Sequence, residues 1–285
     1  KRSGRVCASG ITLHHIMVSR GVIRLTQCQI NCSFSHGVVG NRSNIQLEDC
    51  SICSSRGSYY IGVFARRCKV RLHNCVFLQC FAGASLEDCT SATISRTTVR
   101  NCREGLVLQR CHLAHVSQCC FHHASSGIQL IQCSQAVVER SEIDTRLSCT
   151  ALLCQGNGSP LVRCCTLTGK VVILDASRVV LRHNTIHRGM RISRSDPVII
   201  DNCIGGHITC DLFAGVLAHN KMNGTLEMRT PLANCSCYDN NTNCCDTINS
   251  DDRLPVFGHR SHGGFDEITL AGDKGCSQDV GSDSG

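Results

Sequence analysis

The sequence predicts an all-β fold, a single-stranded parallel β-helix (solenoid) of about ten coils. Two observations support this prediction. The sequence repeats with a period of about 21 residues, most plainly in residues 69–133, and apolar and polar residues alternate with a period of two within each repeat. Helical repeats are longer and place apolar residues at i, i+3, i+4 and i+7, and leucine-rich repeats carry an Asn in every repeat. The pattern therefore favours stacked β-coils.

One column of small or polar residues sets the register of the coils. Each column residue follows an apolar residue by three positions and precedes another by two. The column consists of Cys28, Cys50, Cys75, Thr97, Cys119, Ser141, Cys165, Asn184, Asn202 and Asn220. Successive members are 18 to 25 residues apart, as one coil requires. Because neighbouring strands lie about 4.8 Å apart, ten coils span roughly 45 Å.

A second column is predicted where the last strand of each coil ends, and it contains Cys68, Cys89, Cys111, Cys133 and Cys154. From Asn184 onward the coils shorten to 18 residues and the residue in the first column becomes Asn. Inward Asn side chains can hydrogen-bond one above another and satisfy the backbone of a bend. A Cys at the same place is expected only to fill space.

The repeat divides the chain into four parts. Residues 1–20 are predicted to form an N-terminal cap or an irregular first coil, and residues 21–231 the β-helix. Residues 232–250 are predicted as a Cys-rich C-terminal cap over the open end of the helix. Residues 251–285 are rich in Gly, Ser and Asp and poor in apolar residues, so a mostly disordered tail is expected.

Composition limits the classes of partner. Aromatic residues make up 4% of the chain, Trp is absent, and the formal net charge is +7. The excess positive charge is spread along the sequence without aromatic interleaving or a recognisable nucleic-acid module, so nucleic acid is not an expected partner. No apolar stretch is long enough to span a membrane.

The 25 cysteines have two interpretations besides packing. Stacked column cysteines should stay thiols, because Cβ atoms about 4.8 Å apart exceed the roughly 3.8 Å of a disulfide. This favours a reducing compartment, cytoplasmic or nuclear, although six N-x-S/T sequons point the other way. The only zinc candidate that the repeat leaves unexplained is the group of Cys235, Cys237, Cys244 and Cys245. Its spacing fits no standard finger, and a cap with thiols or a local disulfide is the alternative.

Many β-helix proteins are carbohydrate-active enzymes, whose chemistry needs carboxylates that converge on one outer face. Among the residues that directly precede the first column, the only acids are Asp49 and Asp201, seven coils or roughly 34 Å apart. The second column adds a single acid, Asp88. Glu139, Glu142 and Asp144 lie together in one coil, where solvated ion pairs are expected. The sequence therefore predicts no catalytic residue and no cofactor.

The segments Gly158–Arg163, Val179–His187 and Asp196–Asn202 resemble right-handed parallel β-helix repeats. They are most similar to the non-enzymatic eukaryotic group of F-box only protein 11 and SHC SH2-domain-binding protein 1. The line Cys75, Phe77, Cys80 also resembles the Cys-rich β-helix of the adenovirus early-region large tumour-antigen family. The resemblance covers about residues 20–231 and implies a right-handed helix that serves as a binding or assembly surface. No F-box, SH2 or UBR-type module is visible, so it implies no ubiquitin-ligase role.

We therefore expect a non-catalytic scaffold or adaptor that presents a rigid β-helix face to protein partners. The predicted partner-binding face carries Arg71, Arg96, Arg163 and Arg182, placed at outward strand positions. A polysaccharide lyase or glycoside hydrolase of the β-helix type is the alternative, and only that alternative implies a carbohydrate partner. A viral assembly or host-factor-binding protein is the third possibility, and it would show trimerisation through a helix face.

Overall fold

The computed structural model describes residues 4–54, 59–230 and 235–242. These residues form 32 β-strands and every strand pair is parallel. Nothing in this part of the chain is a helix long and apolar enough to cross a membrane. The predicted all-β solenoid is confirmed.

Each coil crosses three flat faces, and face 1 comes first in the chain order of a coil. We number the coils by their face 1 strands. These are Arg5–Ser9, Val22–Thr26, Asn44–Glu48, Lys69–His73, Ser91–Ser95, Leu113–Ser117, Gln135–Glu139, Leu161–Arg163, Ser177–Arg182, the end of Met190–Ile200, Val216–Ala218 and Ser236–Tyr238. The described residues thus contain eleven coils that cross all three faces and part of a twelfth, which agrees with the predicted number of about ten.

Face 2 is the narrowest, with two or three residues in most of its strands. Its strands are Thr12–Leu13, Gln29–Asn31, Ser51–Cys53, Val76–Leu78, Thr98–Arg100, the starts of Cys120–Ile131 and Glu142–Gln155, Thr166–Leu167, Thr185–Ile186, Cys203–Gly205, Lys221–Asn223 and Asn241–Thr242.

Face 3 completes the coil. Its strands are Ile16–Ser19, Val38–Asn41, Val63–Arg66, Ala82–Glu87, Glu104–Gln109, the ends of Cys120–Ile131 and Glu142–Gln155, Lys170–Leu174, the start of Met190–Ile200, Ile208–Phe213 and Leu226–Met228. Corner 1 joins face 1 to face 2, corner 2 joins face 2 to face 3, and corner 3 leads into the next coil.

The period-two alternation fills the interior. In Lys69–His73, Val70 and Leu72 are buried while Lys69 and Arg71 point to solvent. The core is one continuous stack of mainly Val, Ile, Leu, Ala and Cys, with Phe77, Phe121 and Phe213 as its largest side chains. The low aromatic content is therefore matched to a narrow interior.

The first predicted column is confirmed. All ten of its residues are buried and lie directly after corner 1. The residue before each of them has a left-handed backbone, with φ of 53° at Gln27 and 49° at Arg96, for example. The left-handed conformation costs a non-Gly residue about 1–2 kcal/mol, and each coil needs it to turn sharply. This corner geometry was not apparent from the sequence.

The second column differs from the prediction at its end. Cys68, Cys89, Cys111 and Cys133 follow left-handed residues at corner 3, as expected. The assignment of Cys154 was wrong, because Cys154 aligns with Leu130 and Ile173 inside the strands of face 3. Coil 7 is longer than its neighbours, and this shifts the register by three residues.

The two ends of the helix continue its register. Residues 5–19, expected as a cap or an irregular coil, form three strands, and Arg5 pairs with Val22 in coil 2. At the other end Ser236–Tyr238 pairs with Val216–Ala218. The remainder of the predicted cap and the whole predicted tail, 251–285, lie outside the described residues.

Candidate functional site

The structure divides the four predicted partner-binding arginines between three positions. Arg163 and Arg182 lie side by side on face 1 of coils 8 and 9. Arg71 lies on face 1 of coil 4, in a different outward row aligned with Gln46 and Thr93. The predicted strand position of Arg96 is wrong, because Arg96 follows its strand as the left-handed residue of corner 1. The four side chains therefore form no single row.

Three of these arginines contact neighbouring coils. Arg163 Nη2 lies 2.7 Å from Glu139 Oε2, and Arg182 Nε lies 3.5 Å from Asp201 Oδ2. Arg96 Nε donates to Gln118 Oε1 at 3.2 Å. These contacts hold the side chains in place, and their binding role stays a prediction.

Glu139 is the central member of a group of ionisable side chains on face 1, between His115 and Arg163. It accepts from His115 Nε2 at 3.0 Å in the preceding coil and from Arg163 in the following one. Burial raises the pKa of Glu139, but the hydrogen bonds from His115 and Arg163 outweigh it and hold that pKa below its ordinary value. Glu139 is thus an ionised bridge, unsuited to be a general acid at neutral pH.

The buried cysteines serve the backbone of the corners. The Cys50 thiol donates to the carbonyls of Glu48 at 3.2 Å and Leu25 at 3.4 Å. Cys75 and Cys119 repeat this pattern in their own coils. The expectation that a column Cys only fills space was wrong, since the thiol is a weak donor aimed at carbonyls of the bend.

Three of the buried thiols, those of Cys75, Cys154 and Cys165, are poor nucleophiles. Burial raises the pKa of Cys75, Cys154 and Cys165 to about 12. The thiolate is the reactive form, so these side chains are inert at neutral pH. No disulfide joins any of the cysteines in the described residues.

The asparagine column behaves as predicted. Asn202 Oδ1 accepts the backbone N–H of Asn184 at 2.9 Å, and Asn202 Nδ2 donates to the Leu181 carbonyl at 2.9 Å. Asn220 repeats both contacts one coil later. Asn240 adds a further member, because its Oδ1 accepts from the N–H of Asn220. The amides stack along the interior and satisfy each bend.

The structure adds Glu87, which the sequence test did not consider, to the single acid Asp88 of the second column. Arg110 contacts Asp88 Oδ1 through Nε at 2.7 Å and Glu87 Oε1 through Nη2 at 2.9 Å. Arg66 adds a contact of 3.3 Å to Glu87. The hydrogen bond from Arg110 is the main reason that the pKa of Asp88 lies below its usual range. Two arginines pair with these carboxylates, and Asp88 is not held protonated for acid catalysis.

A shallow groove of about 410 Å³ lies at corner 3 of coils 7–11. Asp175, Arg194 and Asp196 line it together with Asn157 and Leu212. Arg194 Nη2 donates to Asp175 Oδ2 at 3.0 Å, and this ion pair lowers the pKa of Asp175. The sequence test stopped before this part of the second column and missed the groove.

The zinc candidate is only partly within the described residues. Cys235 and Cys237 are half-buried, and Cys237 pairs with Leu217 in the twelfth coil. Cys244 and Cys245 lie outside the described residues. Among the side chains that the structure describes, no group of three or more His, Cys, Asp or Glu could hold a metal ion.

Outward aromatic side chains concentrate on one side of coils 2–4. Of the six Phe and Tyr side chains that are not buried in the described residues, five lie here: Phe34, Tyr59, Tyr60, Phe64 and Phe81. Tyr59 is 83% exposed and Phe34 is 71% exposed, both in the turns of corner 2. Met17, 67% exposed, continues the outward row of Phe64 and Val39 on face 3.

Histidine and arginine tie this cluster together. The His36 ring lies 6.0 Å from both the Tyr60 and the Phe64 ring, and its Nδ1 accepts the N–H of Ile61. Burial lowers the pKa of His36, so the ring is a neutral part of the cluster. Arg103 lies over the Phe81 ring at 5.3 Å, a cation–π contact.

A ridge of arginines borders the same face at corner 3. Arg20, Arg42 and Arg67 occupy the left-handed position of three successive coils, with φ of 55°, 51° and 55°. They are exposed, and within the described part of the chain none forms an ion pair. We call the aromatic cluster and this ridge together the face 3 patch. It consists of Met17, Arg20, Phe34, His36, Val39, Arg42, Tyr59, Tyr60, Phe64, Arg67, Phe81 and Arg103.

Comparison with known proteins gives the class of the chain. The family described as right-handed β-helix region matches residues 9–139 and, in a second, overlapping match, residues 36–172. The two matches cover more than half of the chain, so the protein belongs to this family. The narrower resemblance to F-box only protein 11 and SHC SH2-domain-binding protein 1 stays a prediction.

The other comparisons add little. No curated protein matches the sequence. Among solved structures, QnrB1, described as a plasmid-mediated fluoroquinolone resistance protein, aligns at 10% identity with a TM-score of 0.15. The alignment covers 82% of this chain and 92% of that chain. A likeness of this size assigns neither a fold nor a function.

Proposed function

We propose that the protein is a non-catalytic scaffold that binds a protein partner through the face 3 patch. The observation that supports this most is the concentration of outward aromatic side chains on one side of coils 2–4, two of them exposed and three partly exposed. Contiguous exposed apolar surface on a soluble protein marks an interaction site, and Tyr, Phe, Met and Arg are enriched at the centre of interfaces. The stacked strands of face 3 hold Met17, Val39 and Phe64 at fixed spacing, which lowers the entropy that these side chains lose on binding.

The ridge indicates the chemistry of the partner. Arg20, Arg42 and Arg67 project from adjacent coils about 4.8 Å apart. Lys69 and Arg71 extend this positive edge onto face 1 of coil 4. A partner segment that combines acidic with aromatic or aliphatic side chains would complement both halves of the patch. Of the arginines predicted from the sequence, Arg71 belongs to this edge, while Arg163 and Arg182 form a separate strip.

Quantitative affinity capture tests the proposal. The full chain is compared with the double variant Phe34→Ser/Tyr59→Ser and with Leu113→Ser, which changes a 46% exposed side chain on coil 6, away from the patch. We expect at least one binding protein to be retained by Leu113→Ser and reduced about tenfold or more by the double variant. Identical sets of bound proteins for all three chains would overturn the proposal.

A second candidate function is carbohydrate-active catalysis, which the groove at Asp175, Arg194 and Asp196 favours. Carboxylates and a basic residue on adjacent coils are the groups that such chemistry uses. Against it, Arg194 holds Asp175 ionised. Release of reducing ends or unsaturated products from a panel of polysaccharides, lost in Asp196→Asn, would favour this function over the scaffold.

A further inference from the structure

We propose that the chain's own C-terminal segment, residues 251–270, occupies the face 3 patch. The proposal rests on the binding surface of the preceding section and names an occupant for it. The patch has two chemical halves, a neutral aromatic cluster and an arginine ridge. An occupant needs apolar side chains for the first half and carboxylates for the second.

The charge of the chain is divided in a way that fits. Residues 251–270 contain four Asp and Glu and two Arg, a net charge of −2, and residues 243–285 as a whole contain eight Asp and Glu and three Lys and Arg, a net charge of −5. The chain as a whole carries +7, so residues 1–242 carry +12. Opposite charges on a folded body and its C-terminal segment attract each other, most strongly at low ionic strength.

The apolar side chains of this segment lie beside its acids. Asp251 and Asp252 are followed within five residues by Leu254, Val256 and Phe257. Farther along, Phe265 directly precedes Asp266 and Glu267, and Ile268 and Leu270 follow. Both stretches thus offer the combination of carboxylates and apolar groups that the patch calls for.

The arginines of the ridge are open to such a partner. Several other arginines form an ion pair with a carboxylate of an adjacent coil. They are Arg66, Arg110, Arg163 and Arg194. Within the described residues, none of the ridge side chains forms an ion pair: Asp88, at the next left-handed position after Arg67, pairs with Arg66 and Arg110 instead. Charge-assisted hydrogen bonds to Asp or Glu would satisfy the ridge side chains.

The linker is long enough to reach. From the twelfth coil to coil 3 is nine steps, roughly 43 Å at about 4.8 Å per coil. Residues 243–264 between Thr242 and Phe265 span at most about 75 Å at about 3.4 Å per residue. An intrachain contact is therefore geometrically accessible, and tethering raises the effective concentration of the segment to about the millimolar range.

Occupation by the segment would regulate the scaffold. A partner must displace residues 251–270 before it binds. Its apparent affinity therefore equals its affinity for the open patch multiplied by the fraction of molecules in which the patch is open. A segment that fills the patch nine-tenths of the time weakens partner binding about tenfold. Raised salt weakens the electrostatic half of the contact and opens the patch.

Carbodiimide cross-linking of the full chain tests the proposal, because it couples carboxylates directly to Lys and leaves the 25 thiols out of the design. Lys69 lies two residues from Arg67 on the ridge, while Lys170 and Lys221 are exposed on distant coils and serve as internal controls. We expect Asp266 or Glu267 to couple to Lys69 at least tenfold more often than to either control lysine. A rise from 50 mM to 500 mM salt should reduce that coupling several-fold.

Variants and isotopes make the outcome decisive. Arg42→Glu/Arg67→Glu should reduce coupling to Lys69 at least fivefold, whereas Arg178→Glu/Arg191→Glu, on distant coils, should leave it unchanged. Equal coupling to all three lysines, or none to Lys69, overturns the proposal.

In a mixture of heavy and light chains, coupling between chains instead of within them assigns the patch to a second copy and also overturns it. The binding surface itself survives these failures if the capture experiment still finds partners that need Phe34 and Tyr59.

Discussion

Replacement of Asn202 by Ala tests the internal architecture at its most connected side chain. Asn202 is 2% exposed, and five polar atoms lie within hydrogen-bond distance of its side chain. Its Oδ1 accepts from the backbone N–H and the Nδ2 of Asn184. The two N–H groups of its Nδ2 are shared among three acceptors, the carbonyls of Leu181 and Ile200 and Asn220 Oδ1. Alanine removes all of these contacts and offers no substitute.

The expected cost follows from these contacts. The backbone N–H of Asn184 loses its partner inside the core, at about 1–3 kcal/mol, and each of the three other bonds that can form at one time contributes about 0.5–1 kcal/mol. We therefore expect Asn202→Ala to lower the free energy of unfolding by about 4 kcal/mol. Cys50→Ala should cost only about 1–2 kcal/mol, since its one S–H is a weak donor shared between the carbonyls of Glu48 and Leu25.

Urea denaturation followed by circular dichroism measures the loss, with Thr209→Ala as the control on the outer side of face 3 in the same coil. We expect the control to change the free energy of unfolding by less than about 0.5 kcal/mol. Hydrogen exchange at the Asn184 amide reports the local effect and should accelerate at least a hundredfold in Asn202→Ala. A loss below about 1 kcal/mol with unchanged exchange would refute the assigned role of the asparagine column.

Three further outcomes are expected. Gly83→Val should destabilise the chain by about 2–3 kcal/mol in the same denaturation assay, because its Cβ would lie 2.7 Å from a backbone carbonyl oxygen of the next coil, whereas Ser85→Val on the outer side should not. The lowered pKa of Glu139 stabilises the fold above the unfolded-state pKa of Glu, near 4.3. This stabilisation is lost as pH falls through the folded-state value, so the stability difference between the wild type and Glu139→Gln should be full at pH 6 and shrink as the pH falls below about 4. In the native protein iodoacetamide should modify exposed Cys203 at least a hundredfold faster than buried Cys154, whose pKa is about 12, and equal rates would contradict the burial of the thiols.

The sequence predicted the fold well because the fold is periodic. Every residue of the first column, from Cys28 to Asn220, is buried after corner 1 as expected. A period of about 21 residues and alternation within strands are local properties that repeat many times, so errors in one coil are corrected by its neighbours. Cys154 was misplaced where coil 7 departs from that period.

The functional surface was harder to predict, because it depends on the corner or face of the coil from which each side chain projects. Arg96 looked like a strand residue, but the chain turns there through a left-handed residue. The signal for the face 3 patch was present in the sequence: in a chain with eleven Phe and Tyr, six fall within residues 34–81, and only Phe77 among them holds the apolar position that follows a first-column residue. Only the stacking of coils showed that Phe34, Tyr59 and Phe64 share one side with the arginine ridge.

Selection of peptides from a random display library on the immobilised full chain tests the central claim most directly. If the face 3 patch is a protein-binding surface, the enriched peptides will combine acidic with aromatic residues. Their affinity will fall at least tenfold for Tyr59→Ser/Phe64→Ser and stay unchanged for Leu113→Ser. Enriched peptides that bind the patch variant and the wild type equally well, or no enrichment at all, would contradict the claim.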